Sequence, residues 1–155
     1  MSEILTNQPV QPITPFRSDD SERIITPTYY SSVLPQLERL IVTEAKCKGM
    51  GPELFTEYQY TVSVEQNKQA IETCNDCAVK DLCRNWAIAE RLTGVIAGGE
   101  KTKTREKTRK RLNLIREQRE GEVEPAKAEF IRHALKNRAL YLGMLSAYDR
   151  ENCFF

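Results

Sequence analysis

Apolar residues fall into a helical rhythm only after residue 28. Residues 1–28 set Pro9, Pro12, Pro15 and Pro27 among Ser, Thr, Asp and Gln, a composition that reads as a disordered tail. Leu34, Leu37, Leu40, Ile41 and Ala45 then recur at helical spacing and predict a helix over 35–46. Pro35 is placed in its first turn, where a missing N–H costs nothing. "KGMGPELF" breaks the pattern with Gly49, Gly51 and Pro52. A second helix over 64–74 delivers Cys74 at its C-terminal end, and Asn75 and Asp76 form the following turn. A third runs over 79–92, where Val79, Leu82, Cys83, Trp86, Ala87 and Ala89 share a face and Thr93-Gly94 stops it. "GVIAGGE", residues 94–100, reads as a glycine-rich turn.

Residues 102–119 are polar and partly helical, with Leu112, Leu114 and Ile115 as the large apolar positions. Glu120 to Glu124 make an acidic break. Pro125 opens a last amphipathic helix whose stripe of Phe130, Ile131, Ala134, Leu135, Ala139, Leu142 and Leu145 reaches about Tyr148. That stripe fits simple packing against the core or an extra partner-binding helix. No internal repeat is present. The pattern predicts a small all-α fold in four parts: a tail over 1–28, a helical domain over 29–100, a basic segment over 101–119 and a C-terminal helical extension over 120–155.

With 40% hydrophobic and 29% charged residues in 155, the core is thin and suits a metal or disulfide staple. No run of about 18 apolar residues occurs, which excludes a membrane span. The N-terminus lacks the basic start and apolar stretch of a secretory signal, so the expected location is cytoplasmic. Net charge is only +1, yet residues 101–119 carry nine Lys/Arg against two Glu. The balance of the chain is acidic, and this asymmetry marks the basic segment as the candidate nucleic-acid surface.

Candidate chemistry centres on the cysteines. Cys47 is followed after 26 residues by Cys74-x2-Cys77-x5-Cys83. A C-x2-C turn points two sulfurs at one ion or cluster, with Cys83 and Cys47 able to complete the set. Four thiolates suit tetrahedral zinc or an iron–sulfur cluster. A disulfide framework does not suit a reducing compartment. Chance burial of small apolar residues is the plain alternative. One C-x2-C with two isolated cysteines departs from the paired knuckles usual for zinc, yet spacing alone leaves zinc and iron both open. Cys153 is read as a spare thiol.

"AKCKGMGPELF", the C-x2-C-x5-C run, a helix, "GVIAGGE" and a basic stretch together resemble the WhiB-like regulators of actinobacteria and their phages, over about residues 40–111. The resemblance implies a [4Fe–4S] cluster on Cys47, Cys74, Cys77 and Cys83. It also implies docking on the principal sigma factor of RNA polymerase through the cluster-holding helices and the glycine turn, with Trp86, Gly94, Val95, Ile96 and Gly98 as the contact set. The basic residues Lys101, Lys103, Arg105, Lys107, Arg109, Lys110 and Arg111 would touch double-stranded promoter DNA. Two positions depart from the family pattern: Ala78 stands where Pro is usual, and Ile96 stands where the glycine turn usually carries Trp. Ile keeps apolar area but loses an aromatic contact of about 0.5–1.5 kcal/mol.

Trp86 lies three residues after Cys83 and is also read as a shield for the cluster. The basic run lacks aromatics, which argues against single-strand stacking and for contacts to phosphate. With one histidine, His133, and scattered carboxylates, nothing suggests catalysis or a small-molecule substrate. The leading expectation is an iron–sulfur transcription regulator. The alternatives are a structural-zinc module that binds nucleic acid directly and a thiol–disulfide enzyme, the latter lacking the βαβ context of that motif.

Overall fold

Thr26 begins the first helix. Its side-chain oxygen accepts the Tyr29 N–H at 3.1 Å, and Pro27 fills the first helical position, where its fixed φ helps. The computed structural model describes residues 23–57 and 64–151. Within them the order is α1 (Pro27–Glu44), a 3₁₀ turn (Pro52–Phe55), α2 (Val64–Asn75), α3 (Lys80–Ala89), α4 (Thr102–Ile115), α5 (Pro125–Lys136), α6 (Arg138–Met144) and α7 (Ala147–Glu151). The all-α expectation holds for the described residues. Residues 1–22 and 152–155, and with them most of the expected tail and Cys153, lie outside that description.

Three expectations are corrected. The first helix starts eight residues earlier than expected, so Pro35 lies inside it and not in its first turn. Its missing N–H leaves one carbonyl of the exposed side unpaired in the helix, a cost that the buried stripe Tyr30, Val33, Leu37, Leu40 and Ile41 outweighs. The tail boundary at 28 also moves, because Ile25 is fully buried. Its N–H donates to Glu122 at 3.2 Å, and its carbonyl accepts the Val123 N–H at 2.9 Å.

The last helix breaks at Asn137, whose side-chain Nδ2 donates to the His133 carbonyl at 2.9 Å. An asparagine bonding its own helix competes with continuation, so α5 ends and α6 begins there.

Nor does the C-terminal extension stand apart. Ala128, Phe130, Ile131, Ala134 and Leu135 of α5 pack in one core with Val33, Leu37 and Leu40 of α1, with Val79 just before α3 and with Leu82 of α3. The α3–α5 contact is the most extensive between any two helices. Simple packing therefore accounts for the last amphipathic stripe. A second, smaller cluster joins Ala70, Cys74 and Ile96, with Leu54, Phe55 and Ile71 at its edge. The large core holds the helices; the small one carries the cysteine region.

Candidate metal centre and basic helix

Four segments converge on the cysteines. After α1, Ala45 turns the chain out with an extended backbone (ψ 135°), and Cys47 falls in the turn that follows. There the Lys46 N–H donates to Cys77 Sγ at 3.4 Å, linking this turn to the C-x2-C. Cys74 ends the buried face Asn67, Ala70, Cys74 of α2. The Cys77 N–H donates back to the Cys74 carbonyl at 3.0 Å, which curls the C-x2-C. Cys83 sits in the first turn of α3, its N–H on the Val79 carbonyl at 2.8 Å.

All four are free thiols. They line one cleft of about 490 Å³, whose wall includes Ile41, Met50, Phe55, Trp86 and Ile96. Burial pushes the Cys83 thiol up to about 12, and the neighbouring Cys74, Cys77 and Cys47 add to that. Burial raises Cys47 as well, with Cys77 contributing. Burial also raises Cys74, although the Gly99 and Gly98 N–H groups oppose it. These thiols stay protonated at neutral pH until a cationic group draws them out as thiolates, so binding there releases protons.

The glycine turn closes the cleft. Ala97 and Glu100 exchange backbone hydrogen bonds at 3.1 Å across Gly98 and Gly99. Both glycines have positive φ, +60° and +81°, the pattern of a two-residue hairpin turn. A Cβ on Gly98 would stand 2.3 Å from Cβ of Arg84, so only glycine lets the turn rest on α3. The turn is anchored below, where the Ile96 N–H donates to the Phe55 carbonyl at 2.7 Å and the Glu57 N–H to the Gly94 carbonyl at 3.0 Å. The Gly98 N–H faces the sulfurs of Cys74 and Cys83, and the Gly99 N–H faces Cys74.

The expected contact residues divide. Trp86 is half-buried, lines the cleft and packs against the main core, with Nε1 donating to Glu38 at 3.1 Å. Gly94 is exposed and Val95 half-buried. Ile96 is buried on Ala70 and Cys74, so it serves the small core and presents no surface to a partner. Gly98 is likewise buried, and its role is backbone.

The basic segment divides too. Lys101, Lys103, Lys107, Lys110 and Arg111 are exposed, four of them on α4 and Lys101 just before it. Arg105 and Arg109 are not: both are buried, and they leave the DNA set. Arg105 Nη2 donates to the carbonyls of Leu92 (3.1 Å) and Val95 (2.9 Å), and Nη1 donates to that of Glu100. Arg109 Nη1 donates to the Ile88 carbonyl at 2.6 Å, where a cation meets the negative end of α3. Period-3.6 spacing puts 105, 109 and 112 on one face, but charge gives no sign that this face turns inward.

The N-terminus of α4 is held by Glu57, whose carboxylate accepts the Thr102 N–H at 2.6 Å. No sequence pattern signals that contact. Helix α3 ends at Ala89, not at residue 92, because Arg91 turns left-handed (φ 55°). The Leu92 N–H then reaches the Ala87 carbonyl at 3.0 Å and the Arg91 N–H that of Ile88 at 3.3 Å, which satisfies the helix end without Gly94. His133 is half-buried, with Nε2 2.8 Å from the Tyr141 hydroxyl.

No helix among the described residues is long and apolar enough to cross a membrane. No curated protein and no solved structure matches the chain. Residues 42–112, just under half of the chain, match the family model described as transcription factor WhiB. That stretch holds all four cysteines, the glycine turn and most of α4, and over it the chain is similar to the WhiB family of transcription factors.

Proposed function

We propose that this protein is a transcription regulator that holds a [4Fe–4S] cluster on Cys47, Cys74, Cys77 and Cys83, docks on the principal sigma factor of RNA polymerase and contacts promoter DNA through α4. The observation that carries this reading is the gathering of four free thiols, from four segments, in one apolar cleft under a glycine turn.

The donor set fits the group. Thiolates are the ligands of such clusters, and the two glycine N–H groups supply hydrogen bonds to sulfur that tune them. Tetrahedral zinc requires four sulfurs within about 2.3 Å of one point, whereas a cluster gives each thiolate its own iron. When bound, the cluster supplies iron–thiolate bonds and a redox-active group.

The protein's own residues do the rest. Val42 and Met50 expose apolar side chains on the wall of the cleft, the surface we assign to the sigma factor. On α4, Lys103, Lys107 and Lys110 fall on one exposed stripe with Arg111 beside it. Their amines and guanidinium bind phosphate oxygens, which gives affinity and salt dependence more than sequence choice.

Anaerobic purification followed by metal and sulfide analysis tests the reading. It expects about four irons per chain and a broad band near ~400 nm that bleaches in air. Sigma-factor pull-down should succeed with that material and fail with Cys77→Ser. One zinc per chain without colour would overturn the cluster and leave a structural-zinc module in its place.

A further inference from the structure

We propose that Arg105 is a positioning residue for the thiol site: it pins the glycine turn over Cys74 and Cys83. This rests on the reading of the four thiols as a metal-holding site.

Arg105 belongs by sequence to the run that looks like a phosphate-binding surface, yet it is only 2% exposed. Its three acceptors, the carbonyls of Leu92, Val95 and Glu100, flank Gly98 and Gly99 on both sides. One planar fork therefore fixes the two ends of the turn relative to α4. The turn cannot lift from the sulfurs without breaking these bonds or dragging the helix with it. A lysine at 105 is a single point donor on a flexible stem and cannot span the same acceptors.

The fork is wholly committed to the turn. A buried guanidinium normally takes a carboxylate in hydrogen bonding, but here its hydrogen bonds go to backbone carbonyls at both ends of the glycine turn.

The test is amide hydrogen exchange on the full chain purified anaerobically, in wild type, Arg105→Lys, Arg105→Gln and the exposed control Lys103→Ala, alongside the rate of iron release to a chelator. The Gly98 and Gly99 amides should exchange about tenfold or more faster in both Arg105 variants, with Phe130 and Leu135 amides unchanged, because the loss is local. Iron should leave both variants faster, and the Lys103→Ala protein should match wild type in both measurements. Unchanged exchange at Gly98 and Gly99 would overturn the proposal. So would equal acceleration at Phe130, which would make Arg105 an ordinary core residue. If the protein holds no iron, exchange still decides the role of Arg105, while metal analysis alone judges the cluster.

Discussion

Arg109 bonds Glu124 through one nitrogen, Nη2, which lies 2.6 Å from Oε1 and 2.7 Å from Oε2. Its other nitrogen caps α3 on the Ile88 carbonyl, and Glu124 is the residue from which α5 starts. One side chain thus ties three helices. Arg109→Ala leaves buried carbonyls and a carboxylate without their donor and should destabilise by about 2–4 kcal/mol. Glu124→Gln should cost less, about 1–2 kcal/mol, because the carboxylate is partly exposed and screened. Lys103→Ala should stay within about 0.5 kcal/mol. Urea unfolding of the three variants checks the order. Equal, small losses would show that Arg109 is not the tie described.

Arg91 occupies a backbone conformation better suited to glycine (φ 55°). Its ion pair to Glu106, at 3.8 Å, is long, has an exposed arginine and adds little. Arg91→Gly should therefore raise stability by about 0.5–1 kcal/mol through relief of strain at the helix end. A rise in Tm of a few degrees would confirm this; a fall would mean that the Arg91 side chain contributes more than the strain it imposes.

The glycine turn makes a sharper demand. At Gly94 (φ +78°) an added Cβ meets nothing within 4 Å, so Gly94→Ala should cost about 1 kcal/mol of backbone strain and leave the metal centre intact. At Gly98 the same Cβ collides with Arg84, so Gly98→Ala should lift the turn off the sulfurs and abolish metal retention. Metal content after anaerobic gel filtration separates the two. Full retention by Gly98→Ala would show that the turn does not govern the site.

What could be read from the sequence was periodicity and ligand chemistry. The stripes of α1, α3 and α5 predicted helices because burial imposes a 3.6-residue period, and the four cysteines stood out by type and spacing. The misplaced arginines have one physical origin: a one-dimensional pattern does not say which face of a charged helix turns inward. Arg105 and Arg109 look like Lys103 and Lys107 in composition, and only the carbonyls left by α3 and the glycine turn distinguish them. The resemblance likewise puts Ile96 at the surface, where the family carries a tryptophan, but Ala70 and Cys74 make that position interior. The break at Asn137 was missed because the apolar stripe continues through it.

Acid should act on one identifiable group. Glu122 is buried, which alone would raise its carboxyl, but the Ile25 N–H, Arg119 and Arg132 outweigh that and hold it below its ordinary value of 4.5. A carboxyl with a depressed folded value stabilises the fold above the unfolded value, and that stability is lost as pH falls through the folded one. Wild type should thus lose stability below about pH 4.5 as the unfolded chain takes up the proton more readily. Glu122→Gln should be less stable at neutral pH, and the gap to wild type should close on acidification. A gap that stays constant from pH 7 to about pH 3 would remove Glu122 as the source.

Removing the proposed cluster should have a local effect, and this differs from what a thin core would suggest. The main core of Val33, Leu37, Leu40, Leu82, Phe130, Ile131 and Leu135 is built from α1, α3 and α5, with Cys77 and Cys83 only at its edge. Cys74 and Ile96 belong to the separate, smaller cluster with α2 and the 3₁₀ turn. Each large apolar side chain buried in the main core contributes about 1.5–3 kcal/mol without any metal. Chelator-treated protein should therefore keep most of its helical circular dichroism. Exchange protection should persist in α1, α3 and α5 and vanish in α2 and residues 94–100. Phe130→Ala, by contrast, should lower the stability of the whole fold by about 3–5 kcal/mol whether or not metal is present. Cooperative loss of all helix signal on chelation would mean that the two clusters are one folding unit and that the metal holds the main core as well.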